Sequence, residues 1–172
     1  MSLAYRLRQL RGILLSGPLS EDARNEVART LSASELALFS RLSHADQWHS
    51  YRVLRTLLDA GYNHPDLMPA ALLHDIGKVR HPLSAWDRTV IVVGEALFAD
   101  RTAKWGSGSL AGWQRPFVVR ACHPEWGAEM AQAAGSRAGS VELIRRHQDK
   151  PDGAGGEQQR LLALLQWADG RN

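Results

Sequence analysis

Apolar residues recur every three to four positions along almost the whole chain, which is the spacing of one face of an α-helix. This spacing predicts a series of helices, at about 3–15, 20–31, 32–42, 43–60, 65–75, 84–98, 113–121, 124–134, 140–148 and 157–168. No segment keeps the strict alternation of a half-buried strand over more than a few residues. The run at 90–93 has helical flanks and is predicted to be a buried helix. The pattern therefore predicts an all-α protein.

Capping and breaking residues set the predicted ends of these helices. Ser32, with Glu35 three residues later, forms a capping box that marks a helix start. Gly77 is predicted to stop the helix before it, because glycine tolerates the left-handed conformation of a C-terminal cap. Pro124 suits a helix start, so the helices on either side of it are predicted to be separate. The stretch 101–116 mixes glycine, serine and two tryptophans, and is predicted as a loop, or a short helix set in loops, that could cover a site.

Length and composition indicate one domain with a substantial core. The chain has 172 residues, of which 44% are hydrophobic and 23% charged. We expect helices within 1–43 to pack on a functional domain formed by 44–172. The single cysteine, Cys122, excludes an internal disulfide framework and fits a reducing cytosol. No signal-peptide pattern and no apolar run of about 20 residues is present, so a cytoplasmic location and no membrane partner are expected.

The adjacent pair His74-Asp75 is the first sign of chemistry. A neutral imidazole and a carboxylate suit a divalent cation such as Fe, Mn, Zn or Mg. Neighbouring helical residues point about 100° apart, so the two can share an ion only if other helices supply further ligands. An isolated pair of this kind is commonly a buried histidine beside a capping aspartate. Here it is not isolated, since further candidate ligands occur on other predicted helices or at their ends, namely His49, His123, His147 and Asp169.

The order of these residues resembles the signature of the HD-domain superfamily of metal-dependent phosphohydrolases. The resemblance covers about 44–170 and rests on Asp46-Gln47-Trp48-His49, Ala71-Leu72-Leu73-His74-Asp75-Ile76-Gly77-Lys78, His123-Pro124-Glu125-Trp126-Gly127, Ile144-Arg145-Arg146-His147 and Leu165-Gln166-Trp167-Ala168-Asp169. It implies a single-domain helical bundle with a metal site in its core. By the same resemblance, His49, His74, Asp75 and Asp169 match ligands found throughout the superfamily. His123 and His147 match the two additional histidines of its two-metal branch.

The resemblance implies hydrolysis of a phosphate ester or anhydride by a metal-activated hydroxide. One or two divalent ions per chain are expected, Fe or Mn first, with Zn, Ni, Co and Mg also suitable. Asp75 would be shared between two ions because a carboxylate has two oxygens. Lys78 would neutralise the substrate phosphate, and Arg52, one turn after His49, is a second candidate.

Three classes of function remain open on the sequence. The first is a phosphohydrolase acting on a nucleotide or another small phosphorylated molecule. The second is an HD-type nuclease, which would need a continuous basic groove with stacking aromatics. The third is a non-catalytic regulatory domain that binds metal. The net charge of +3 is scattered along the chain, which permits an anionic substrate without demanding nucleic acid. The sequence predicts no oligomeric state.

Overall fold

Helices follow one another along the part of the chain that the computed structural model describes, residues 17–149 and 155–172, and no strand occurs in it. In chain order they are α1 (Glu21–Thr30), α2 (Ala33–Phe39), α3 (His44–Asp59), α4 (Leu67–Leu73), the 3₁₀ helix η1 (Ile76–Arg80), α5 (Ala85–Leu97), α6 (Ala99–Gly106), α7 (Arg115–Ala133), α8 (Ala138–Arg146) and α9 (Glu157–Asp169). The all-α prediction is confirmed. The helix predicted at 3–15 lies outside the described residues.

Serine side chains cap several of these helices. The backbone N–H of Glu35 donates to Ser32 Oγ, and the Glu35 carboxylate accepts in return from the Ser32 N–H at 2.9 Å. The predicted capping box is therefore confirmed. Ser84 and Asp87 make the same reciprocal pair at the start of α5. Each pair satisfies N–H groups that the first turn of a helix leaves without a partner.

Helix α4 lies at the centre of the bundle. All seven of its residues are buried, and it packs against α3, α8 and α9. Because this helix has no solvent-facing side, it places the residues that follow it, His74 and Asp75, in the protein interior. Buried residues of the 19–42 segment belong to the same hydrophobic cluster as α4. The boundary drawn between 1–43 and 44–172 stays a prediction.

Helix α7 runs unbroken through Pro124, so the prediction of two separate helices was wrong. Proline has no N–H, and the carbonyl four residues earlier, that of Arg120, loses its usual helical donor. The Nδ1 of His123 lies 2.8 Å from this oxygen and supplies a replacement. The helix continues because a side chain satisfies the group that the proline leaves unpaired.

Gly77 is not the helix stop that the sequence predicted. It lies within η1 and has no positive φ. Its role is close packing, since a Cβ at this position would lie 2.0 Å from the carbonyl oxygen of His123 and 2.7 Å from the backbone nitrogen of Gly127. Only glycine allows η1 to approach α7 this closely.

Helix α5 contains the run 90–93, as expected, but the prediction that this run is buried was wrong. Ile91 is buried, whereas Val93 is 47% exposed. Together with aromatic side chains that include Trp105 and Phe117, α5 lines an apolar groove that is open at the surface. The 101–116 stretch is helical up to Gly106, continues in turns over 107–114 and ends in the first two residues of α7. Among the described helices, none combines the length and apolar character needed to cross a bilayer.

Candidate metal centre

Six side chains from five parts of the bundle meet in its interior. They are His49 in α3, His74 at the C-terminal cap of α4, Asp75 just before η1, His123 in α7, His147 at the C-terminal cap of α8 and Asp169 at the end of α9. The structure thus brings together every residue that the sequence nominated as a metal ligand. Four of them are buried, and two lie at the partly open edge of the cluster, His49 and Asp169, whose side chains are 24% and 35% exposed.

The six residues divide into two triads. In the first, Asp169 Oδ1 lies 2.9 Å from His49 Nε2 and 3.5 Å from His74 Nε2. In the second, His123 Nε2 lies 3.2 Å from His147 Nε2 and 3.2 Å from Asp75 Oδ1. Each triad offers the nitrogen and oxygen donors of a site for a divalent transition metal.

Asp75 faces both triads. Its Oδ1 points towards the second triad, and its Oδ2 lies 3.7 Å from His74 Nε2 and 3.9 Å from His49 Nε2 in the first. One carboxylate therefore presents a separate oxygen to each group of donors. This is the arrangement that a bridging ligand between two ions requires.

Backbone hydrogen bonds fix the three buried imidazoles in one orientation. In each ring Nδ1 donates to a carbonyl oxygen of the preceding helical turn: His74 to Ala71 at 3.0 Å, His123 to Arg120 at 2.8 Å and His147 to Ile144 at 2.7 Å. Because the proton is held on Nδ1, the neutral rings present the Nε2 lone pair to the interior. Hydrogen bonding of the remote nitrogen is the usual way in which proteins orient histidine ligands.

Two features of these nitrogens fit a bound ion. His74 Nε2 is buried and has no hydrogen-bond partner among the described residues. The Nε2 atoms of His123 and His147 are both acceptors, and at 3.2 Å their lone pairs face each other. Two nitrogens that each lie about 2.1 Å from one ion, about 100° apart, are separated by about 3.2 Å. The residues present therefore fit divalent metal in both number and chemistry.

The two carboxylates of the cluster are held in their ionised form. Burial raises the pKa of Asp75, but the Lys78 ammonium, 2.5 Å from Oδ2, and the neighbouring imidazoles override this effect and keep the pKa well below its usual range. Burial likewise raises the pKa of Asp169, but the His49 imidazole at 2.9 Å and the His74 imidazole at 3.5 Å more than compensate, so the net shift is downward. Both groups are ready to act as ligands at neutral pH.

The buried histidines differ in protonation. Burial lowers the pKa of His147 to about 3 and also lowers the pKa of His123, so both rings are neutral at physiological pH. Burial also lowers the pKa of His74, but the charges of Asp75 and Asp169 outweigh it and raise the pKa to about 9. In the absence of metal, His74 therefore carries a proton that an incoming ion must displace.

The two basic residues proposed for catalysis lie in different surroundings. Lys78 reaches the cluster, with its ammonium on Asp75. Arg52 is exposed and makes no hydrogen bond or ion pair with the described residues. The structure thus joins Lys78 to the site and does not join Arg52.

Gln148 also contacts the site, although no sequence motif predicts it. Its side-chain nitrogen lies 3.3 Å from His123 Nε2. The available signal was its position, since it directly follows the candidate ligand His147 at the end of a helix. A polar residue in that place is common for many reasons, so the sequence alone did not single it out.

The family model for the HD domain matches residues 48–170. The chain therefore belongs to the HD domain family, whose members bind divalent metals and are in general hydrolases that act on phosphorylated substrates. No match is found among curated proteins or among solved structures.

Proposed function

We propose that this protein is a metal-dependent phosphohydrolase with two divalent ions. His49, His74 and Asp169 would hold one ion, His123 and His147 would hold the other, and Asp75 would serve both. The position of Asp75 is the observation that carries the proposal, because each of its oxygens faces a different triad. If the site held a single ion at the first triad, the donors His123 and His147 of the second triad would have no metal to bind.

Divalent ions, when bound, lower the pKa of a coordinated water to about 7 and stabilise negative charge on phosphoryl oxygens. The chain itself supplies ionised carboxylates at Asp75 and Asp169, neutral rings at His123 and His147, and a shielded interior. Its partly exposed edge at His49 and Asp169 would admit the substrate. We assign Lys78 to the substrate phosphate, which would compete with Asp75 for its ammonium group. We propose that Arg52 also contacts the substrate phosphate when substrate is bound at the edge of the site formed by His49 and Asp169. Because both residues are cations, they would attract the phosphate without serving as metal ligands.

A small phosphorylated molecule, of the nucleotide type or similar in size, suits the distribution of charge better than nucleic acid. Many basic side chains are already paired with carboxylates, as in Arg55–Glu26, Arg80–Glu129, Arg88–Asp46, Arg115–Asp87, Arg120–Glu95 and Arg137–Asp66. Paired cations do not form the continuous basic groove that a nucleic-acid backbone needs. We retain Fe or Mn as the first candidates for the metal, with Zn, Ni, Co and Mg to be compared, and a cytoplasmic setting.

The test is a titration of chelated protein with Mn²⁺, combined with turnover on a panel of phosphate esters and anhydrides. We expect two bound equivalents for the parent and one for the double variant His123→Ala, His147→Ala. Asp75→Asn should lose metal and lower turnover by at least a hundredfold, because removing a shared ligand weakens both ions.

Asp59→Asn is the matched control. It makes the same chemical change at an exposed carboxylate on α3, which is paired with Arg55 away from the cluster. It should keep both equivalents and full turnover. Saturation of the parent at one equivalent would show that the site holds a single ion. Undiminished turnover by the Asp75→Asn variant, or by protein kept in chelator, would rule out the mechanism.

A further inference from the structure

A polar cleft of about 530 Å³ lies beside the second triad, between α7 and α8. Its walls include Pro124, which follows His123, and Gln148, which follows His147. Its volume falls within the range of small-molecule sites, about 300–1,000 Å³. The cleft is therefore large enough for an organic group, and two of its lining residues are the sequence neighbours of candidate metal donors.

Gln148 connects the cleft to the metal donors. His123 Nδ1 donates to backbone oxygens, so His123 Nε2 is an acceptor and the Gln148 amide donates to it at 3.3 Å. This hydrogen bond uses the lone pair that a metal ion would need. Binding of an ion to His123 must therefore release the Gln148 amide, which then has free N–H donors on the wall of the cleft.

The charged groups of the cleft are paired with one another. Arg145 bonds Glu125 at 3.0 Å and Glu142 at 3.3 Å, and Arg146 bonds Asp149 at 3.1 Å. Three carboxylates against two guanidinium groups leave the lining with one net negative charge. A second phosphate would be repelled here, whereas hydroxyl groups could bond to carboxylates, guanidinium groups and the amide alike.

We propose that this cleft binds the hydroxyl-bearing alcohol portion of a phosphate monoester, and that Gln148 is a positioning residue which an ion on His123 releases for this purpose. The inference rests on the proposed function and names the substrate class more closely, as a polyol or sugar monophosphate. Binding at the second triad and binding in the cleft are then positively coupled through one side chain.

The kinetic test compares ribose 5-phosphate with pentyl phosphate, whose five-carbon alcohol portion lacks the hydroxyl groups. We expect the parent, loaded with Mn²⁺, to prefer the sugar ester in kcat/KM. Gln148→Met should raise KM for ribose 5-phosphate by about three- to tenfold, the value of one or two hydrogen bonds. The preference for the sugar ester, measured as the ratio of the two kcat/KM values, should fall by the same factor, because pentyl phosphate has no hydroxyl groups for the Gln148 amide to bond. Gln132→Met, at an exposed position of α7, is the matched control and should behave as the parent.

A second readout is independent of turnover. The side-chain NH₂ resonances of Gln148, assigned by their absence from Gln148→Met, should shift when Zn²⁺ is added to chelated protein. Free ribose should shift them further, and should do so more weakly when Zn²⁺ is absent.

The failures can be told apart. If the parent neither binds metal nor hydrolyses any ester, the proposed function fails and this inference fails with it. If the parent binds metal and hydrolyses both esters equally well, or if Gln148→Met lowers turnover of both alike, the cleft does not select hydroxyl groups. If Zn²⁺ saturates the protein without changing the chemical shifts of the Gln148 side-chain resonances, the proposal that metal binding releases Gln148 is wrong.

Discussion

Replacing Gly77 by alanine tests how closely η1 must approach α7. The added Cβ would lie 2.0 Å from the His123 carbonyl oxygen and 2.7 Å from the Gly127 nitrogen. These two backbone groups are four residues apart, which is the spacing that closes a turn of an α-helix. Backbone cannot rotate away as a side chain can, so η1 and α7 must separate by roughly 1 Å. We expect a loss of about 3 kcal/mol in the free energy of unfolding, the upper part of the range for overpacked cores.

The assay is urea and thermal unfolding in the presence of chelator, so that lost metal does not add to the effect. A loss of this size lowers Tm by roughly 6–12 °C in a chain of this length. Gly17→Ala is the matched control, because a Cβ there meets nothing within 4 Å and the residue has no positive φ. It should change the free energy by less than about 0.5 kcal/mol. Equal stability of the two variants would refute the packing argument. Because His123 lies on the displaced helix, the Gly77→Ala variant should also bind the second Mn²⁺ more weakly.

Two further predictions concern charge. The carboxylates raise the pKa of His74 to about 9, so Zn²⁺ binding at pH 7 should release close to one proton from this ring, and affinity should fall as pH falls below about 9. Calorimetry in two buffers of different ionisation enthalpy measures the release, and its absence would contradict the assignment of His74 as a ligand. Lys78→Met should keep both Mn²⁺ equivalents and raise KM for phosphate esters roughly tenfold, the cost of losing a charged hydrogen bond. A variant with normal kinetics but reduced metal content would show that Lys78 acts on the ligands and not on the substrate.

The helices followed from local patterns, and the convergence of the six donors followed from the resemblance to the HD-domain superfamily. Helical spacing of apolar residues and serine caps are properties of short segments, and they located most elements, including the start of α2 at Ser32. The donors could be nominated because His74 and Asp75 stand side by side in an order that resembles a known family. Their division into two triads depends on how the helices pack, which no local pattern contains.

The errors share a physical cause. The sequence predictions for Pro124 and Gly77 follow the commonest structural role of each residue type, which is a helix start for proline and a helix stop for glycine. In the folded chain both are explained by contacts with the site: Pro124 frees a carbonyl that His123 bonds, and Gly77 makes room for α7. No local pattern predicts the role of Gln148, since that role depends on a hydrogen bond to a residue on another helix. Tertiary contacts override local preference where elements meet most closely.

The distribution of donors along the chain also fixes the order in which the site can be completed during synthesis. Asp75, His123 and His147 all precede α9, whereas the triad of His49 and His74 must wait for Asp169 at the end of that helix. A nascent chain lacking α9 holds a whole second triad but only part of the first. The half of the site whose first residue is made earliest is therefore the last to receive all of its donors.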